Sequence, residues 1–235
     1  NLYKFAKENP LFIEKMMPKK FNNLSVGYDF NRGKYIPVQN ASQIQNIYLF
    51  SEGKTTLEKF HLYGSFNYLR STEDSTRWAH QSRLTANAPY SFGSIKNNHY
   101  ERSVYKINAS VGRAMIDDNL PISLGLDYRL GNHFSNNDPR GEVKDFQLNI
   151  NPAIGYNVSK HLLIGLGYQY GYGREQIRVG YKNSTYTENT VADIYVNYLL
   201  TGYGGAIPLQ VQNLLRYDNN QDRQFGKFYA NYKLT

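Results

Sequence analysis

The densest group of chemically capable side chains is Asn136-Asn137-Asp138-Pro139-Arg140-Gly141. Asp138 could contribute to a calcium or sugar site, and Arg140 could clamp a carboxylate. A calcium loop needs several more oxygen ligands at close spacing than this run supplies. Asp, Asn, Pro and Gly are also the residues that close tight turns, and a turn is the reading preferred here. The histidines His61, His80, His99, His133 and His161 never fall within four positions of one another. That spacing offers no local metal pair and no His-Glu-x-x-His motif, so no metal or cofactor is expected. His99 with Ser94 and Asn97 is the one local set from which a nucleophile, a base and an orienting group could be assembled. Asp117-Asp118 and Glu142 with Asp145 are carboxylate pairs, but they fall at strand ends, where solvated charge is ordinary. Leu166 to Gly173 is glycine-rich. Its glycines alternate with larger residues, and no helix pattern follows, as a phosphate loop would require.

The elements that carry these residues announce themselves by alternation. Leu120, Ile122, Leu124, Leu126, Tyr128 and Leu130 are separated by Pro121, Ser123, Gly125, Asp127 and Arg129. A period of two marks a strand with one apolar and one polar face. The pattern recurs at Phe60–Tyr68, Tyr105–Val111, Phe146–Ile150, Ile154–Val158 and Leu162–Tyr172. Runs of about 9–11 residues match the length a transmembrane β-strand needs. The chain has 22 Tyr and 12 Phe against one Trp, Trp78, a composition that suits aromatic girdles at a membrane boundary. The expected fold is an all-β, antiparallel transmembrane β-barrel, with a soluble β-sandwich as the alternative.

Composition trims the other classes. Mean hydropathy is negative, which a barrel tolerates because its lumen and loops are polar. No stretch approaches the 18 apolar residues of a membrane helix. With no cysteine, a disulfide framework and a thiolate metal site are excluded. The net charge is +8, but Lys and Arg are spread out, without a dense basic cluster, so no nucleic-acid partner is expected. Contact with anionic lipid headgroups and a mildly cationic lumen account for the charge. Residues 1–21 lack the apolar core of a signal peptide, so a barrel reading implies an export signal already removed or an internal piece of a longer chain.

Two regions follow: an N-terminal segment, residues 1–20, that is a plug, an interfacial piece or disordered, and a barrel over residues 21–235. About eleven strands are expected, near 22–36, 42–50, 57–70, 76–86, 100–115, 120–130, 144–158, 161–180, 190–201, 206–217 and 224–235. Short turns at Asp118, Ser159 and Gly204 are placed on the periplasmic side; longer links holding Pro89, Pro139 and Ser184 are placed outside. An odd count, and an ending at Lys233-Leu234-Thr235 without a terminal aromatic residue, suggest part of a larger, even-stranded barrel. The candidate lumen-facing residues are Lys106, Asn108, Arg129, Gln147 and Arg178, and the candidate external-loop contacts are Tyr90, Asp138, Arg140 and Tyr186.

Several short patterns occur in a suggestive order. Ser51-Glu52-Gly53 leads to Tyr63-Gly64-Ser65-Phe66-Asn67-Tyr68. Trp78, Ala88-Pro89-Tyr90, Asp138-Pro139-Arg140 and Asn151-Pro152-Ala153 with Gly155-Tyr156 follow. Over about residues 45–180 the chain resembles a domain-of-unknown-function family of outer-membrane β-barrels in Bacteroidota. Members are about twice as long, and some sit beside TonB-dependent uptake systems. The resemblance implies an outer-membrane address and a role beside nutrient import; it offers no catalytic residues. The expected function is that of a non-enzymatic transport accessory or a subunit of a larger outer-membrane complex, in contact with lipid and other outer-membrane proteins. A diffusion pore and a rim hydrolase built on His99 are the alternatives.

Overall fold

The structure, a computed structural model, describes residues 2–34, 39–82, 90–116, 119–187, 192–201, 205–209 and 214–232. The long strands are β1 (Phe21–Arg32), β2 (Gln43–Leu57), β3 (Phe60–Thr76), β5 (Asn98–Met115), β6 (Leu120–Ser135), β7 (Arg140–Asn157), β8 (Leu162–Gly180) and β11 (Leu214–Tyr232). They form one antiparallel sheet in the order β1-β2-β3-β5-β6-β7-β8-β11. Three short strands, β4 (Tyr90–Gly93), β9 (Tyr198–Thr201) and β10 (Ala206–Pro208), make a separate sheet in the order β10-β9-β4. The all-β antiparallel class therefore holds, with eight strands in the main sheet and three beside it. Among the described residues, β1 and β11 are the free edges.

The alternation read from sequence is the alternation of the two faces. Leu24 and Val26 on β1 are 69% and 72% exposed. Their register carries the same face through Leu49, Tyr68, Tyr105, Leu130 and Phe146. Tyr68 and Tyr105 sit directly opposite, with ring centroids 4.8 Å apart, a stabilising cross-strand pair. The other face carries Glu52, Lys54, Tyr63, Lys106, Asp127, Gln147 and the glycines of β8.

Several strand expectations change. The strand expected at 190–201 is a 3-10 turn (Asp193–Tyr195) followed by the short β9, with 188–191 outside the described residues. Residues 76–86 do not form a strand: β3 ends at Thr76, residues 77–82 fold onto the inner face, and 83–86 lie outside the described residues. The expected strands at 206–217 and 224–235 become the short β10 and the 19-residue β11. Residues 218–223 look like a turn because Asp and Asn dominate them, yet they pair continuously with β8. Residues 132–143 were expected as a long link; β6 and β7 run into it and leave only 136–139 as a turn.

The sheet has a short-turn end and a long-link end. At the first lie Glu58-Lys59, the turn holding Ile116 and Asn119, and the turn at Ser159. Glu58 and Ile116 have φ of 54° and 52°. Pro139 and Ser184 lie at the long-link end. Asp118, Pro89, Gly204 and residues 233–235 lie outside the described residues. Thr201 and Gly205 are joined by a backbone hydrogen bond within the small sheet, which belongs to the long β8–β11 connection and not to the short turns.

The inner face holds two inserts. Residues 2–17 form α1 (Leu2–Glu8), a 3-10 turn (Pro10–Phe12) and α2 (Ile13–Met16). Pro10 interrupts the helix, where it lacks a donor and fits the first turn position. Leu11, Phe12, Ile13 and Met17 are buried against Tyr63, Ala153, Leu163 and Tyr229. Burial of each large apolar side chain contributes about 1.5–3 kcal/mol. The second insert is residues 77–82, tied to β4 by the His80–Phe92 bridge.

Candidate functional site

The N-terminal insert and the inner face of the sheet bound a chamber of about 520 Å³. Lys106, Asn108, Arg129 and Gln147, four of the five expected lumen residues, line it together, with Lys4 from α1, Asp127, Asn149 and Lys227. Arg178 is on the opposite face. It sits across from Glu142 and Arg216 in a register that runs without a bulge through β7, β8 and β11. Strict alternation from inward Gly173 therefore sends residue 178 outward.

Arg223 of β11 organises the chamber floor. Its guanidinium crosses β8 and donates to Gln147 Oε1 at 3.4 Å and to Asn149 Oδ1 at 3.2 Å. That crossing needs space. A Cβ on Gly171 would lie 2.5 Å from Asn149 Oδ1 and 3.2 Å from Arg223 Nε. Lower on the same strand, a Cβ on Gly167 would lie 2.9 Å from the Tyr229 ring, whose hydroxyl donates to Asn9 Oδ1 at 2.9 Å. The inward glycines of β8 thus let β11 side chains reach β7 and the N-terminal segment. Asp127 is already engaged. Asn151 Nδ2 donates to its Oδ2 at 2.9 Å, and the Asn108 amide nitrogen, turned toward it, reaches Oδ1 at 3.2 Å.

Toward the long-link end the inner face becomes a buried charge network. Arg102 Nε and Glu73 Oε1 are 3.0 Å apart, with both side chains almost fully buried. Asp145 accepts from Arg129 at 2.6 Å and pairs with His133 at 3.1 Å. The 77–82 insert docks on this network by its backbone. Arg102 donates to the carbonyls of Gln81 and Ala79, and Ser82 N donates to Glu175 Oε1 at 3.0 Å. His80 is buried against the Tyr100 hydroxyl. Burial, reinforced by the Arg102 charge, pushes the His80 imidazole down to about 3. Among the described residues no group of three His, Asp or Glu could hold a metal ion.

The expected loop contacts divide. Asp138, after a cis bond to Pro139, accepts from the backbone N–H groups of Lys182 and Asn183 at 3.1 Å and from Arg140 Nε at 2.8 Å. Burial opposes its charge, but these donors prevail and hold its carboxyl below the usual range. Asp138 and Arg140 therefore tie the β6–β7 turn to the β8–β11 link. Tyr186 stacks on Tyr195, centroids 3.8 Å apart, in that same link. Tyr90 lies in β4, edge-on to Tyr217. The set His99, Ser94 and Asn97 is engaged elsewhere: His99 meets Asp74, Ser94 Oγ accepts from Asn98, and Asn97 accepts from Arg77.

Sequence reasoning missed Arg223, Arg102, Glu73 and Glu175. Their common signal is a charged residue on the inward parity of a strand. Glu73 and Arg223 fall outside the expected strands 57–70 and 224–235, while Arg102 and Glu175 lie inside the expected strands 100–115 and 161–180, where the apolar and glycine patterns dominate.

Over residues 10–234 the chain matches a family described as a family of unknown function, DUF6850. It belongs to that family. Among curated proteins nothing matches. Among solved structures, the chain is similar to the ferric yersiniabactin uptake receptor FyuA from Yersinia pestis. The identity is 11% and the TM-score 0.42, with 82% of this chain and 26% of the receptor covered. The chain thus spans about a quarter of that receptor's length.

Proposed function

We propose that this chain forms wall of an outer-membrane β-barrel in a bacterium of the Bacteroidota type and serves as a non-enzymatic transport accessory or complex subunit. The carrying observation is the continuous apolar outer face. From Leu120 to Leu130 it covers about 33 Å of strand at ~3.3 Å per residue. With the usual barrel tilt of roughly 35–45°, that becomes about 25 Å of depth, the height of an outer-membrane apolar band. In water such a face would be an exposed patch of a size soluble monomers rarely carry.

Two further features favour a subunit of something larger over a lone small pore. A membrane cannot accommodate unpaired backbone groups, so the edges β1 and β11 need strand partners. An eight-stranded barrel has an interior just wide enough for side chains, whereas this inner face carries a helical segment, a loop insert and a chamber. Both inserts also sit where an open channel would run. The test is expression with an export signal, outer-membrane fractionation and mild-detergent isolation. Recovery in the outer membrane within a larger assembly supports the reading. Recovery in the soluble periplasmic fraction would overturn it, and a lone heat-modifiable barrel that conducts ions would replace it with the pore.

A further inference from the structure

We propose that the inner chamber binds a solute bearing an oxyanion, a phosphoryl or carboxylate group on a small polar body. The inference rests on the reading of this face as a water-filled lumen and adds what that lumen recognises.

The argument is one of donor balance. Arg223 donates to the side-chain oxygens of both Gln147 and Asn149. With an oxygen of each turned to Arg223, these two amides turn their N–H groups toward the chamber they line. Asp127 already receives the amides of Asn151 and Asn108, one on each oxygen, which satisfies part of its acceptor capacity. Arg129 is paired with Asp145, and Lys7 with Glu52 at 2.5 Å. That leaves Lys4, Lys106 and Lys227, which line the chamber and have no carboxylate within ion-pair distance among the described residues. Glu8 is the one lining carboxylate without such a bond. Three ammonium groups and two oriented amides outweigh the lining acceptors of Glu8, Asp127 and Gln169, and this balance of donors is complementary to a ligand made of acceptors. Charge-assisted hydrogen bonds of this kind are the strong ones. The volume, about 520 Å³, falls within the range of small-molecule sites, ~300–1,000 Å³.

The experiment is calorimetric titration of the full detergent-solubilised chain, or the complex in which it is isolated, with glucose 6-phosphate, glucuronate and glucose. The expected result is binding of one or both anions and at least tenfold weaker binding of glucose. The tighter anion identifies the phosphoryl or the carboxylate as the recognised group. Lys106→Gln and Lys227→Gln should each weaken binding about tenfold, and Lys160→Gln, at the short-turn end, should not. Asn149→Asp places a carboxylate among the donors and should abolish binding. No binding of either anion, glucose bound equally well, or affinity unmoved by Lys106→Gln and Lys227→Gln would overturn the proposal. Fractionation is read separately. A soluble chain that still binds the anion removes the membrane reading and keeps the site, while a membrane-resident chain that fails to bind does the reverse.

Discussion

The inner face is covered at one end by residues 2–17 and at the other by residues 77–82, and the two inserts are held by opposite physics. The N-terminal segment presents Leu11, Phe12, Ile13 and Met17 to an apolar patch of Tyr63, Ala153, Leu163 and Tyr229. Its polar ties are Lys54 Nζ to the Ile13 carbonyl at 2.9 Å, Tyr229 to Asn9, and the ion pairs Lys7–Glu52 at 2.5 Å and Glu14–His61 at 3.1 Å. The 77–82 insert buries little apolar surface and presents backbone carbonyls and N–H groups to Arg102 and Glu175. Apolar packing does not titrate and is not screened by salt as ion pairs are. Buried ion pairs hold only while each charge keeps its partner, because an orphaned buried charge is costly. One end is therefore held mainly by apolar contact, with the Lys7–Glu52 and Glu14–His61 pairs beside it, and the other depends chiefly on the protonation and integrity of a few side chains.

The largest single effect is expected at the apolar end. Phe12 is 1% exposed and meets the Tyr229 ring edge-on at 5.3 Å. Phe12→Ala should cost about 3–5 kcal/mol. It should also expose residues 2–20 to trypsin at Lys15 and Lys19 while the strands stay protected. Uniform loss of protection across the chain would mean that the segment is integral to the sheet and not a separable insert.

At the ionic end, Arg102→Leu removes the guanidinium that pairs with buried Glu73, and a loss of about 3–4 kcal/mol is expected. Adding Glu73→Leu should recover much of it, since a buried pair replaced by apolar residues is often near neutral. Denaturant titration of the two single variants and the double variant gives the coupling. Equal loss in single and double variants would show that the pair does not act as a unit. The insert itself is read by proteolysis at Arg77, which should quicken in Arg102→Leu and not in Phe12→Ala.

Between the two ends the glycines of β8 set the spacing. Gly171→Val would drive its side chain into Asn149 and Arg223, and overpacking of this kind costs about 1–3 kcal/mol. Loss of the Arg223 bridge should also free the Gln147 and Asn149 amides, so anion affinity should fall with stability. Gly226→Val on the outer face of β11 meets nothing within 4 Å and should leave both unchanged.

This contrast also explains what was legible in the sequence. The outer face could be read because the lipid-type pattern is local: Leu120 to Leu130 alternates without regard to any neighbour. The inward glycines of β8 were legible for the same reason. The inner partnerships were not, since Phe12–Tyr229 and Arg223–Asn149 are set by strand order, which alternation does not encode. Residues 218–223 misled because Asp and Asn have turn chemistry locally. In the sheet their side chains are occupied by β8: Gln176 donates to Asp218 at 2.8 Å, and Tyr170 reaches Asp222 at 3.4 Å. The 76–86 segment misled in the opposite sense. Trp78 takes φ 55° and packs its ring edge-on to Tyr198 at 5.1 Å. It is admitted there because Gly93 has no Cβ to strike its backbone.

The effect that most sharply separates the two ends is a pH dependence. His80 sits in the 77–82 insert, outside the strands, packed against Tyr100 and beside Arg102 of β5 and Gly141 of β7. Its folded value near 3 lies below the ordinary 6.5, so between these two values the unfolded or undocked state binds the proton and the docked state does not. Stability is therefore fully present above about pH 6.5 and falls as pH drops toward 3, by at most about 1.4 kcal/mol per pH unit. Amide exchange in residues 77–82 should accelerate from pH 7 to 5 beyond the intrinsic pH dependence of exchange, whereas protection of residues 2–17, whose histidine pair Glu14–His61 is part-exposed, should change much less. His80→Gln should flatten that response at the insert. The same acceleration persisting in His80→Gln would move the dependence to His133 and Asp145 beneath the insert, and leave the contrast between the ends standing on the ion pairs alone.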